Sequence, residues 1–199
     1  MKRYITLLTL TLSISTFAQD FDKNLATAKS SYASGKLEDA RFAMEQILRD
    51  LDAAIGKEIL KMLPAKMGTM NVNAADDNVS GGAGIAAGLF VHRAYGTQPK
   101  TATVEILNNS PMISGINAIL SLPMIGAMGG DPDQKQVKVQ GYKSILRKTL
   151  NSETGKTDYE LQVPFNNTLL TLKVDDTNEA EILNFANLIP LSKISQMAQ

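Results

Sequence analysis

The sequence predicts an α+β protein: an N-terminal helical hairpin, then an antiparallel sheet of about five strands covered by a middle helix and a C-terminal helix. Three observations predict it. Apolar residues recur at helical spacing from Phe21 to Leu63. The period changes to alternation after Gly88. A helical pattern with an acidic start returns after Val174.

Residues 1–18, MKRYITLLTLTLSISTFA, stand apart from the fold. Lys2 and Arg3 form a positive start, Ile5 to Ile14 is apolar apart from Thr and Ser, and Thr16-Phe17-Ala18 supplies the small residues a signal peptidase reads. This is expected to be a secretory signal peptide, cut before Gln19. Its apolar run falls short of the roughly 20 residues that a membrane-spanning helix needs. Residues 19–65 are then the hairpin, and 66–199 a sheet domain expected to form one compact unit with it.

In the hairpin, Phe21, Leu25, Ala28 and Tyr32 share one face of a first helix. Gly35 is a C-cap, because glycine accepts a left-handed conformation without strain. Ala40, Met44, Ile47, Leu48 and Leu51 form the stripe of a second helix. Glu38 and Asp39 suit the positive end of its dipole. The stripe continues through Ile55, Ile59 and Leu63 to Pro64, with Gly56 as its weak point.

The stretch from Met67 to Gly82 is polar and reads as a loop with one short strand near Met70 to Val72. Gly88–Tyr95 and Thr101–Leu107 are strands joined by a Gly- and Pro-containing turn. In Gln136–Lys148, Val137 and Val139 alternate, and Gly141 is read as a bulge that shifts the phase. Tyr159, Leu161 and Val163 alternate with Asp158, Glu160 and Gln162, the pattern of an antiparallel sheet with one wet face. Thr168–Val174 follows after the turn PFNN, giving a three-strand meander. The last helix carries Ile182, Leu183, Ala186 and Ile189 on one face, with Asp176 and Glu179 at capping-box spacing. Pro190 ends it, and one more short turn follows.

Between Glu105 and Asp131 there is no charged side chain. Asn, Pro and Gly make this a poor membrane helix, and its apolar centre, Met112 to Ile125, is about 14 residues, the length of a core or interfacial segment. Ile113, Ile116, Leu120 and Met124 follow helical spacing. The first reading is a buried crossover helix. The second is a docking surface made of Met112, Ile113, Ile116, Leu120 and Met124, since methionine suits adaptable interfaces. Membrane insertion is the third.

Twenty basic and twenty acidic residues leave no electrostatic footprint for nucleic acid, and loss of Lys2 and Arg3 with the leader makes the balance slightly acidic. The absence of cysteine removes disulfides, thiol catalysis, thiolate metal sites and lipid attachment through an N-terminal cysteine. The mature chain is expected to have no integral membrane span.

His92 is the single histidine and shares a strand face with Phe90 and Ala94. A histidine satisfied by a neighbour fits better than a general base. The acidic pairs Asp76-Asp77, Asp131 with Asp133, and Asp175-Asp176 lack the further oxygens of a calcium loop, and Asp175-Asp176 is assigned to helix capping. Ser80–Gly88 is glycine-rich but precedes a strand and lacks the Lys-Ser/Thr of a phosphate loop. No catalytic residue, metal ligand or cofactor site is assigned.

Two resemblances add to this. YASGKLEDARFAMEQIL resembles the centre of a tetratricopeptide repeat, with Tyr32, Gly35 and Ala40 in the aromatic, glycine and alanine positions. It occurs once, so it implies a single helical hairpin packed on its own domain, since repeats bury their faces against neighbours. The order of strands, helix, meander and terminal helix from Met67 resembles the PsbP/Mog1-type α/β/α sandwich. That resemblance implies a binding or assembly factor and carries over no site residues. The expected function is an exported, non-catalytic binding or assembly protein of the cell envelope, whose partner is another envelope protein or an apolar ligand. The alternatives are a lipid or hydrophobic-ligand carrier, and a hydrolase with a site assembled by the fold.

Overall fold

The computed structural model of the chain describes residues 16–81, 88–121, 131–152 and 154–198. Residues 1–15, and with them most of the expected leader, lie outside it, as do Met124 and most of the glycine-rich stretch. Contacts divide the chain into two compact units that meet between Asp50 and Leu51, inside one continuous helix.

The first unit holds α1 (Thr16–Ala33) and the first half of α2 (Leu37–Met62). The turn between them is a Schellman motif. Lys36 N–H donates to the Ser31 carbonyl at 2.9 Å, Gly35 N–H donates to the Tyr32 carbonyl at 3.1 Å, and Gly35 takes φ +75°. Burial is symmetric about this turn. Ser31 and Ala40 are buried, then Ala28 and Ala43, and Asn24 and Ile47 are half-buried. Each pair is equidistant from the turn, so the helices run antiparallel with these residues as their seam.

The second unit is built on a seven-stranded sheet in the order β3-β4-β5-β9-β8-β7-β6, antiparallel throughout. The strands are β3 (Asn78–Ser80), β4 (Phe90–Thr97), β5 (Lys100–Asn108), β6 (Gln134–Val139), β7 (Tyr142–Leu150), β8 (Thr157–Phe165) and β9 (Thr168–Val174). A two-stranded ribbon, β1 (Lys66–Met67) with β2 (Met70–Asn71), precedes it at the place expected for one short strand. The α+β class with its hairpin-then-sheet order holds, and the strand count rises from about five for two reasons. Asn78–Ser80, read as loop, pairs with β4. Gln136–Lys148, read as one strand, is two. Gln140 and Gly141 take φ +48° and +93°, the two left-handed positions of a tight hairpin, so Gly141 is a turn residue and not a bulge.

Strand alternation separates the two sheet faces. Val91, Tyr95, Val104, Ile106, Leu146, Leu161, Val163, Leu170 and Leu172 face the main core. There they meet Ile59 and Leu63 from the second half of α2, Ile182, Phe185 and Ala186 from α4 (Glu179–Leu188), and Leu191 and Ile194 from α5 (Leu191–Met197). Ile145 and Leu169 point the opposite way and meet Ile116 and Leu120 of α3 (Met112–Ser121). Helices therefore cover both faces of the sheet.

Gly56 is a packing position, not a weak point. A Cβ there would stand 2.5 Å from Val79 Cγ1 and 2.6 Å from Leu89 Cδ1, so only glycine lets α2 lie this close to β3 and its neighbour. The cap of α4 is Asn178, whose side chain accepts from Glu181 N–H at 3.0 Å. Asp176, expected to cap this helix, instead takes φ +46° and pairs with Lys156. Asp175 accepts from the Thr101 hydroxyl.

Candidate functional site

The charge-free segment is the first place to look. Ser110 starts α3: its hydroxyl accepts from Met112 N–H at 3.3 Å, and its carbonyl accepts from Ile113 N–H at 3.2 Å. Ile116 and Leu120 are buried on Ile145 and Leu169, and Ile113 packs beside them half-buried. Met112 is 54% exposed. Of the four expected docking residues that are described, two are packing material and one is free. The helix is short of a membrane span; no helix among the described residues is long and apolar enough to cross one. Leu120 also borders an open cleft of about 290 Å³ whose other walls are Asn117, Ser121, Lys143 and Pro164.

The sheet face beneath α3 mixes apolar residues such as Phe90 and Leu107 with a polar band. One rung crosses all seven strands: Asn78, His92, Glu105, Thr171, Gln162, Ile145 and Gln136. In it His92 Nδ1 lies 3.3 Å from Glu105 Oε1, and its ring stacks on Phe90 with centroids 6.4 Å apart. This is a cross-strand pair, charged on both sides only when the imidazole is protonated. A hydrolytic site needs in addition a nucleophile or a held water within reach of that imidazole. The described contacts of His92 are Glu105 and Phe90.

The acidic pairs are taken up by local structure. Asp77 receives two hydrogen bonds from Arg93, Nε at 2.9 Å and Nη2 at 2.7 Å. The Asp77 hydrogen bonds raise the guanidinium pKa further, outweighing the burial that resists its charge. Arg93 also donates to the Leu63 carbonyl, and Tyr95 OH donates to the Pro64 carbonyl at 2.9 Å. Together they fasten the end of α2 to β4. Burial pushes the Tyr95 phenol up to about 12. Asp131 accepts from Asp133 N–H, and Asp133 pairs with Lys148.

The unmet surface lies on the hairpin. Leu25 and Tyr32 of α1 are 51% and 68% exposed; Leu37, Met44 and Leu48 of α2 are 62%, 50% and 59% exposed. At 3.6 residues per turn, each of these stripes is rotated about 85° from its own seam, in the same sense along its helix. Because the helices are antiparallel, both stripes fall on the same side of the hairpin. They form two apolar ridges flanking a groove floored by the small seam residues. Phe42, 63% exposed, is rotated the other way and lies on the opposite flank. Beyond the ridges, helical position places Asp22 and Lys29 on α1 and Arg41 and Glu45 on α2, the last two paired at 3.2 Å. The face offers apolar area inside a rim of both signs.

Sequence reasoning missed this surface. It found the stripes but assigned them inward. The signal that distinguishes the two outcomes is the size of the residues at symmetric positions about Gly35. Ala28, Ala40 and Ala43 make a seam too narrow to cover Leu25, Tyr32, Met44 and Leu48. No family model matches this chain, and no curated protein or solved structure matches it. The two resemblances therefore rest on residue pattern alone.

Proposed function

We propose that the chain is an exported, non-catalytic binding or assembly protein of the cell envelope, docking through the apolar side of its N-terminal hairpin. The observation that carries this reading is the cluster Leu25, Tyr32, Leu37, Met44 and Leu48, each half exposed or more on one side of two helices. Contiguous apolar surface of this kind on a soluble helix pair marks an interaction site more often than it marks nothing. A lone hairpin with the aromatic, glycine and alanine of a repeat unit has the same need, since such units bury this side against a neighbour. The leader-like residues 1–18 support export.

The test is capture of envelope proteins by the mature chain and by Tyr32→Glu/Leu48→Glu. Both positions are exposed, so the variant keeps its fold, which circular dichroism verifies. Partners held by the first and lost by the second support the proposal; identical capture overturns it. Mass spectrometry of the protein recovered from cells tests export, and retention of Met1 to Ala18 sinks that half.

A further inference from the structure

We propose that the hairpin face is covered by a second copy of this chain, two hairpins stacking about a two-fold axis into a four-helix bundle. The inference rests on the reading of that face as a docking surface and names its occupant.

Three properties of the face favour a copy of itself. The first is area. With full side-chain areas on the order of 200 Å², of which somewhat over half is exposed at each position, the five residues offer about 600 Å². Two copies would together bury about 1,200 Å², the lower limit of a stable, specific interface. The second is shape. The Leu25–Tyr32 ridge and the Leu37–Met44–Leu48 ridge flank a groove whose floor is Ala28, Ala40 and Ala43. A two-fold lays a ridge of each copy into the groove of the other, the packing that antiparallel helices adopt. The third is charge. Residues Asp20 to Asp50 hold six acids and five bases. The rim carries both signs on each helix, Asp22 with Lys29 and Arg41 with Glu45. A partner of uniform charge meets repulsion at half of these; an identical copy can set acid against base.

Sedimentation of the mature chain over a wide concentration range tests this. The expected result is a dimer. Tyr32→Glu/Leu48→Glu should weaken it by at least about 100-fold, because it places a charge on each of the two apolar ridges, while Phe42→Glu on the opposite flank leaves it intact. The chain has no cysteine, so single-cysteine variants report position directly. Met44→Cys should cross-link to itself with a short bis-maleimide, and Phe42→Cys should not. A wild-type chain that stays monomeric, or a dimer that survives Tyr32→Glu/Leu48→Glu, overturns the inference. If the monomeric wild type still captures an envelope protein that the double variant loses, the docking surface stands and only the second copy is refuted. Capture that is insensitive to the variant refutes the docking surface itself.

Discussion

Replacing Gly56 by alanine sets two effects of known sign against each other. Gly56 lies inside α2, where alanine is favoured over glycine by about 0.8–1.0 kcal/mol. Against this, the new methyl would stand 2.5 Å from Val79 Cγ1, 2.6 Å from Leu89 Cδ1 and 3.3 Å from Val91 Cγ2. Leu89 is 1% exposed and has no space to swing into, and Val79 is β-branched with a stiff χ1. Overpacking of this kind costs about 1–3 kcal/mol, and two contacts below 3 Å put it in the upper half of that range. The net expectation is destabilisation by about 1–2 kcal/mol, a Tm loss of roughly 2–8 °C at this chain length. Gly115 provides the control. It lies in α3, and a Cβ there meets nothing within 4 Å, so Gly115→Ala should stabilise by about 0.8–1.0 kcal/mol from helix propensity alone. Urea unfolding followed by circular dichroism measures both. Equal stabilisation by the two substitutions would show that α2 does not press on β3 and Leu89 as described.

Three further outcomes are expected. Asp77→Ala leaves the Arg93 guanidinium half-satisfied in a site where its side chain is 12% exposed, and should destabilise by about 3 kcal/mol; Asp77→Leu/Arg93→Met, which removes both charges, should recover most of that in the same urea titration. The Tyr95 phenol, raised from 10.0 to about 12, contributes stability that is intact below pH 10 and is lost as pH climbs through about 12. Ultraviolet titration should show one late-ionising tyrosine, absent in Tyr95→Phe, and an early-ionising Tyr95 would contradict its burial. Ile116→Asp, at 4% exposure against Ile145 and Leu169, should cost about 3 kcal/mol or more, whereas Met112→Asp should stay within about 0.5 kcal/mol; similar small effects from both would mean α3 is not seated on the sheet.

Elements with long, regular patterns were legible in the sequence. Tyr159, Leu161 and Val163 alternate over a whole strand and face the core or its margin as read. What was not legible was decided by competition between near-equal local signals, or by pairing partners far along the chain. Gly141 fits a bulge and a tight turn equally well, and Gln-Gly is a weaker turn signal than Asn-Gly. Asn78–Ser80 contains one apolar residue; only its ladder with β4 makes it a strand. Asp176 and Asn178 each precede a glutamate by three residues. Asn178 wins because Asp158 accepts from Asp176 N–H and Lys156 pairs with its carboxylate, holding Asp176 in the turn out of β9.

The candidate site failed to show in the sequence for a different reason. The uncharged run reads first as a buried helix, and Ile116 and Leu120 are buried in that way; it is the second reading, a docking surface there, that draws attention away from the hairpin. The hairpin looks ordinary because its charges are balanced and its stripes are amphipathic. What decides exposure there is the width of a stripe relative to the width of its seam. An apolar arc on a surface helix spans more than about 100°, and an alanine-lined seam covers only one edge of it. The other edge, Leu25 and Tyr32 on α1 and Leu37, Met44 and Leu48 on α2, is left over on the same side by the antiparallel geometry. Filling the seam tests this directly. Ala43→Leu should force the helices apart and disturb the groove, so it should weaken docking although residue 43 itself is buried and touches no partner; docking unchanged by Ala43→Leu in a chain of normal helicity would show that the groove is not what the partner reads.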